Sequence, residues 1–430
     1  MRKQSALGAL GMAVLAAVAL AGCTGSGPAS TAASSGGSGG GGAIKYLIAQ
    51  PDNPAQLKAM KTDITNFEQA SGVTVNLDVV PGANIRTLLQ AQLRSGNGPD
   101  VFAYGPGPGM AGALAKAGLL YDLTGAYAKY KWPIYDWARP GVTYNGKLIG
   151  VPDQIEEVGL FYNKDLFAKL GLPAPTDLAS LQRAAAKIKQ SGIIPFAAGD
   201  KEAWEGGHFL SMALANEVGP KADADLIANK TSWSSPGVVT ALNTWYQFSK
   251  DGYLPPTPSA ISYDNSNALF YSGKAAMDPT GSWLISDFDA ANLKFDVGFV
   301  PFPAESGPGI FSTDVGGGNF VSAATKNPTG AVEFLNYLTS AQHGKWEVDQ
   351  YTIPAFPLDA SAEKVSPLFR DVITGTSKYV KGSSDVGYNI DVNETDLFNK
   401  AMYDGVQGLL SRQSTAAQVA QKLQAAAAKG

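Results

Sequence analysis

The chain predicts an α/β fold with a mainly parallel sheet and helices on both faces. Three observations carry that prediction. The elements after residue 44 begin in the order β-α-β-α-β. Turn residues punctuate nearly every change of pattern. With 430 residues, 45% hydrophobic and 16% charged, the chain has the length and apolar content for two or three packed cores.

Each element has a local signal. Ile44–Ile48 is a short strand pattern, and Pro54–Ser71 places Leu57, Met60, Ile64 and Phe67 at helical spacing. Gly72 ends that helix, Val73–Val80 alternates as a strand, and Pro81-Gly82 closes it. Ile85–Arg94 reads as a helix and Asp100–Tyr104 as a strand whose end meets the loop Gly105-Pro-Gly-Pro-Gly109. Ligands of such sheets bind outside the carboxyl ends of strands, where this loop lies. Further on, Gly159–Asn163 reads as a strand, Asp165–Leu170 and Thr176–Gln190 as helices, the latter capped by Thr176 or Asp177, and Ile193–Ala197 as a strand. Helices are expected at Gly207–Val218 and Pro236–Asp251, with a helix end at Asn267–Gly273. Strands are expected at Ala275–Pro279, Phe295–Val300 and Val315–Val321. Asn327–Ser340 and the stretch from about Glu394 to Ala428 read as helical, and no solenoid or propeller repeat appears.

The N-terminus has another character. Arg2 and Lys3 precede an apolar run from Ala6 to Gly22, followed by Leu20-Ala21-Gly22-Cys23. This resembles the lipobox of bacterial lipoprotein signal peptides, which implies cleavage before Cys23 and lipidation of its thiol, with palmitate among the acyl chains. The alternative is a transmembrane anchor, but the run is short and Ala/Gly-rich for a bilayer core of about 30 Å. Residues 24–43 hold no charge and no aromatic, the composition of a flexible Gly/Ser tether. The expected division is a signal peptide at 1–22 and a lipidated Cys with tether at 23–43.

Composition excludes several chemistries. One cysteine and two histidines leave no disulfide framework, thiolate metal site or His-rich metal centre. A formal charge of −4 gives no electrostatic case for nucleic acid. No metal and no cofactor are expected.

Seven motifs then fall into one order: Gly98-Pro-Asp-Val-Phe102; Asn145-Gly-Lys-Leu-Ile-Gly-Val-Pro152; Leu160-Phe-Tyr-Asn-Lys-Asp-Leu-Phe167; Tyr271-Ser-Gly-Lys-Ala-Ala-Met277; Thr280-Gly-Ser-Trp283; Gly316-Gly-Gly-Asn-Phe320; and Ala331-Val-Glu-Phe-Leu-Asn-Tyr-Leu338. The series resembles the family 1 extracellular solute-binding proteins of ABC importers, the group that includes maltose-binding protein, over roughly residues 44–428. The resemblance implies a periplasmic-binding-protein type II fold: two α/β lobes with a hinge and an interlobe ligand cleft. It places 44–153 plus about 315–358 in the N-terminal lobe, and about 154–314 plus 359–430 in the C-terminal lobe. Crossings would fall at Gln154–Val158, at Thr313–Asn319 and near residues 355–365. Gly316, Gly317 and Gly318 suit a hinge; the alternative is a tight backbone approach.

A sugar needs aromatic planes to stack on and short polar side chains around its rim. On the family's layout Trp283, after Gly281-Ser282, would stack on a sugar ring, with a core tryptophan as the alternative. Tyr104 would face the cleft from a strand end, or else belong to the core. Glu156, with Gln154 and Asp153 beside it, sits at the first crossing, where sugar hydroxyls are bound. Trp204 lies in a polar, glycine-flanked stretch that reads as a loop. His208 follows it and reads as a capping or packing residue, with ligand contact as the alternative. Asp52 and Asn53 lie in a loop that faces the cleft, or cap a helix before Pro54. Tyr263, Asp264, Asp314 and Phe398 complete the candidates, against surface-turn, hinge-capping and helix-packing alternatives.

The expected function is delivery of a neutral mono- or oligosaccharide to ABC permease transmembrane subunits, by a monomer held to the outer face of the cell membrane through the Cys23 lipid. A polyol or glycerol phosphate is the alternative ligand; phosphate would want a cleft cation, and the candidate loops hold only Lys201. A secreted glycosidase needs two carboxylates across a bond. Glu156 and Glu157 cannot supply them, because neighbours on a strand point to opposite faces.

Overall fold

Alternating apolar side chains draw Gly42–Ala49 (β1), Val73–Val80 (β2) and Val101–Tyr104 (β3) into one sheet, with Pro54–Ser71 (α1) and Gly82–Arg94 (α2) as the connections. This computed structural model describes residues 41–51, 54–361, 363–379 and 386–429. The Cys23 lipobox and residues 24–40 of the expected tether therefore lie outside the described residues, whereas Gly42 and Ala43, expected in the tether, begin β1. β1 pairs in parallel with β2 along its whole length and with β3 on its other edge. Period-two alternation then serves two cores. Ile44, Tyr46 and Ile48 face one that includes Phe67 and Phe334, while Leu47 faces another with Leu89, Phe102 and Phe320.

Beyond this unit come Gly150–Asn163 (β4), Leu178–Gln190 (α3), Ile194–Phe196 (β5), Trp204–Val218 (α4), Ala275–Gly281 (β6), Val297–Val300 (β7), Ser312–Val321 (β8) and Asp396–Leu410 (α5). Across the principal sheet the order is β2-β1-β3-β8-β4-β6-β5. β4 repeats the alternation. Val158 and Leu160 join a core with Trp233, Trp245 and Phe398, whereas Ile155 and Phe161 join one with Phe270 and Phe369.

The mainly parallel sheet expected from the first elements holds at the margins, in β2-β1-β3 and β5-β6, and in a short pairing of Ser312-Thr313 with Gly387-Tyr388. The centre is antiparallel: β8 pairs β4 from Ser312↔Val158 to Phe320↔Gly150, and also pairs β3. The cause is chain path. β4 leaves the first pair of cores and β8 returns to it, so the two strands run in opposite senses side by side.

Local chemistry sets several boundaries. Asp177, not Thr176, caps α3: its carboxylate accepts from Ser180 N at 2.6 Å, and the Ser180 hydroxyl oxygen accepts from Asp177 N at 3.0 Å. The stretch expected to be one helix after Glu394 is interrupted. α5 ends near Arg412, which is left-handed at φ 61°, and Thr415 starts a new helix, Ala416–Ala427, with its own capping box. α4 begins at Trp204, so the expected loop there is a helix start. It is buried nearly all round, as its apolar sequence requires, and Trp245 Nε1 donates to Phe209 O at 2.6 Å beneath it.

Phe398 corrects one site expectation. It is fully buried, with its ring 4.6 Å from that of Trp233, so its place is helix packing and not ligand contact. Phe398→Ala should therefore lower unfolding stability by about 3–5 kcal/mol in a denaturant titration. A loss under about 1 kcal/mol would contradict the packing assignment.

Candidate functional site

Strands β4 and β8 bring most of the polar candidates together. Gln154 and Glu156 share one face of β4, and Gln154 Nε2 donates to Glu156 Oε1 at 3.0 Å. Glu157 points the other way, as alternation demands, and its Oε1 accepts from the Thr376 hydroxyl at 2.6 Å. Opposite Glu156 in register lies Asp314, whose Oδ1 accepts from Val315 N at 2.8 Å and whose Oδ2 accepts from Asn393 Nδ2.

The three glycines of β8 make space for this. A Cβ at Gly316 would overlap the Glu156 carboxylate, and one at Gly317 would stand 2.6 Å from Asp153 Oδ1. None of the three has the positive φ that glycine alone tolerates. Tight backbone approach therefore holds at Gly316 and Gly317 in the folded chain.

Aromatic residues form the adjoining wall. Gly281 and Ser282 carry Trp283 out of β6 on a single 3-10 turn, and a Cβ at Gly281 would overlap the indole. Trp283 Nε1 donates to the Tyr263 hydroxyl at 2.7 Å, and that oxygen lies 3.2 Å from Thr280 Oγ1. The Trp204 ring lies 4.7 Å from Tyr263 and 6.4 Å from Trp283, and His208 fills the space behind at 5.1 and 5.2 Å from the two indoles. Ala203 enters α4 in the left-handed region at φ 73°, which aims Trp204 from the helix start.

Two cavities adjoin this wall. One of about 130 Å³ is lined by Gln154, Glu156, Ser282, Trp283 and Tyr351, among others. The other, about 650 Å³, lies between the Gly105–Met110 segment and residues of 391–404, with Ala203 and Gly316 on its wall. Glycines 107 and 109 let the two sides approach as backbone. Gly107, at φ 81°, sits against the carbonyl of Val392, and a Cβ at Gly109 would stand 3.2 Å from Glu394 O. Arg86 ties the same sides together: its Nη2 donates to Gly109 O at 3.1 Å and also to the Asp396 carboxylate.

Electrostatics here are one-sided. Burial pushes the Glu156 carboxyl up to about 8, with Asp391, Asp153 and Asp314 adding repulsion. Burial also pushes Asp314 up to about 7. Burial lowers the His208 imidazole, against the pull of Asp391, and Asn389 Nδ2 lies 3.2 Å from its Nε2. Among the described residues, no group of three His, Cys, Asp or Glu side chains is placed to hold a metal ion, and no helix is long and apolar enough to cross a membrane.

The other candidates lie elsewhere. Tyr104 belongs to the core, 6% exposed, with its ring 6.4 Å from Phe102; it lines neither cavity. Asp264 is exposed on the first turn of the helix Tyr263–Tyr271. Asp52 and Asn53 fall outside the described residues. Sequence reasoning missed Arg86, Asp391, Asn399 and Tyr403, all on the wall of the larger cavity. The polar run Asn389-Ile-Asp-Val-Asn-Glu394, set between apolar stretches, is the signal that could have pointed to Asp391.

Comparison with known proteins fits this architecture. The profile of the bacterial extracellular solute-binding protein family matches residues 49–345. The multiple sugar-binding protein of Streptococcus mutans is 28% identical over 377 residues, covering 84% of this chain and 85% of that protein. The galactooligosaccharide-binding protein of Bacillus subtilis is 26% identical over 296 residues, 68% of each chain. Among solved structures, a chitin oligosaccharide binding protein superposes with a TM-score of 0.77 at 25% identity, covering 89% of this chain and 98% of that one. Its neighbours in structure share the type II periplasmic-binding fold. With the family profile spanning more than half its length, the chain belongs to the bacterial extracellular solute-binding proteins.

Proposed function

We propose that the protein binds a neutral sugar, most simply an oligosaccharide, between two lobes and delivers it to the transmembrane subunits of an ABC permease, without catalysis. The observation that carries the reading is the pairing of an aromatic wall, Trp204, Tyr263 and Trp283, with the Gln154–Glu156 acceptor edge beside it. Indole and phenol faces suit the C–H faces of a sugar ring. Amide and carboxyl oxygens suit its hydroxyls. The larger cavity, at about 650 Å³, leaves space for further rings. The names of the relatives, which bind multiple sugars, galactooligosaccharide and chitin oligosaccharide, support the ligand class.

On this reading residues 44–153 and about 315–358 form one lobe, and about 154–314 and 359–430 the other. β4 and β8 connect them, and closure around the ligand makes the form that the permease recognises. The protein works as a monomer outside the cytoplasm, held to the membrane by a lipid on Cys23. A polyol remains compatible with the same polar edge, whereas the cations on the wall of the larger cavity are already engaged by carboxylates and offer little to glycerol phosphate.

A thermal-shift panel of oligosaccharides on residues 45–430 tests the reading, since a ligand that binds the native state raises its apparent stability. Trp283→Ala should weaken the best sugar of that panel by about 100-fold or more, as loss of a stacking hot spot does. Unchanged affinity would remove Trp283 from the site, and a panel without any stabilising sugar would sink the sugar reading.

The buried carboxyls set a pH dependence. A carboxyl raised from 4.5 to about 8 holds more protons when folded than when unfolded across that window. Stability therefore falls as pH rises through it. The ligand-free protein should melt at a lower temperature at pH 8 than at pH 5, and Glu156→Gln should shrink the difference. An equal fall in the variant would exclude Glu156 as a contributor.

Cys23→Ala should abolish incorporation of labelled palmitate in cells and release the protein from the membrane fraction. Retained label would place the lipid elsewhere.

A further inference from the structure

We propose that Asp391 sets the charge selectivity of the cleft, admitting neutral and amine-bearing sugar units and rejecting units that carry a carboxylate or a phosphate. The proposal rests on the sugar reading above and adds to it the class of sugar.

Asp391 is held from several sides and still has capacity left. Its carbonyl accepts from Asn399 Nδ2 at 2.6 Å, which pins the segment to α5. Its Oδ2 accepts from the Tyr403 hydroxyl at 3.2 Å and lies 3.9 Å from His208 Nε2. Its Oδ1 is buried and has no hydrogen-bond partner. The residue lines the cavity of about 650 Å³. A carboxylate fixed in this way on a cavity wall presents a charge that no neighbouring cation neutralises.

The surrounding charges decide which donors fit. Glu156 and Asp314 both lie close enough to Asp391 for mutual repulsion. The two cations on the cavity wall are engaged: Arg86 pairs with Asp396, and Lys400 pairs with Asp404 at 2.7 Å. His208 stays neutral because it is buried. An anionic ligand group would meet the Asp391 carboxylate and no unengaged cation on that wall. A hydroxyl or an ammonium would donate to that carboxylate instead. Exclusion of this kind is specificity by repulsion, and it needs only one fixed charge at the correct place.

The test is calorimetric titration at neutral pH with matched neutral, 2-amino and uronic-acid forms of gluco- and galacto-configured mono- and disaccharides. The wild type should bind the best neutral or amino member at least about 30-fold more tightly than its uronic-acid counterpart, the scale of one close like-charge contact. Asp391→Asn should narrow that gap to about 3-fold or less, while Asp391→Glu should keep it. Melting temperature would be checked for each variant. If Asp391→Asn does not fold, Asp391→Ser removes the same charge and should narrow the same gap. Equal binding of the uronic acid by the wild type overturns the proposal, as does an undiminished gap in a folded Asp391→Asn protein. Binding of no sugar of any charge overturns the sugar reading itself and this proposal with it.

Discussion

Two strands running in opposite senses, Gly150–Asn163 and Ser312–Val321, carry everything else in this protein. The first runs from the core built around Ile44 into those built around Val158 and Phe161; the second starts beside Val158, pairs back along the first, and ends in the cores built around Ile44 and Phe102. Their antiparallel pairing is therefore the shared wall of both halves and the floor of the site. The pairing is irregular where it matters, with register shifts on either side of Gly317. Such a bulge bends the strand and re-aims side chains. Glycine at 316 and 317 lets the carboxylates of Glu156 and Asp153 lie flat across the neighbouring strand. Any side chain there would lift Glu156 out of the plane in which Gln154 and Asp314 meet it.

From that floor the walls rise with different physical characters. The aromatic wall is rigid. Trp283 is fixed by a hydrogen bond to Tyr263, Tyr263 by Thr280, and the rings wedge against His208. A pre-arranged platform loses little entropy when a ligand settles on it. The facing segment, Gly105–Met110, offers backbone and small groups instead of polar side chains, and its glycines bring it against the Val392 and Glu394 carbonyls. Polar and aromatic side chains are thus concentrated on the side that includes β4, β6, α4 and the Asn389–Tyr403 stretch. Contact between the two sides of the larger cavity is made by main chain and by the Arg86–Asp396 pair.

How far the sequence anticipates this depends on how local the cause is. Helix Pro54–Ser71 and strand Val73–Val80 were legible to the residue, because spacing and turn residues act within a few positions. The cap of α3 was legible to within one residue, Thr176 or Asp177, for the same reason. The antiparallel centre was not, because it follows from a path that joins residues about 160 apart. Trp204 read as a loop residue because the glycines beyond it resemble a break. In the fold those glycines are buried against Met402, Tyr403 and Val406, where only the smallest residue fits. Phe398 shows the converse: an aromatic counted toward the cleft is consumed by packing on Trp233, a contact that no local pattern reveals. Asp391 was passed over because its neighbours Glu156, His208 and Tyr403 are each brought to it by a different element.

Two buried charge clusters lie on either side of this framework, and the contrast between them separates structure from function. Behind it, His343 Nδ1 meets Asp63 Oδ2 at 2.8 Å, its Nε2 lies 3.5 Å from Glu347, and the Tyr337 hydroxyl donates to Asp63 at 2.6 Å. The carboxylates outweigh the cost of burying the imidazole and raise it to about 9, so it is a cation at neutral pH that faces two carboxyl groups. In front, Glu156, Asp314 and Asp391 crowd together with no cation of their own. Burial and mutual repulsion hold Glu156 and Asp314 well above the ordinary carboxylate range, so they shed charge near neutral pH instead of recruiting a counter-ion. The first cluster carries its own cation, and its position in the first core fits a structural role. The second has none and lies beside a cavity and an aromatic platform.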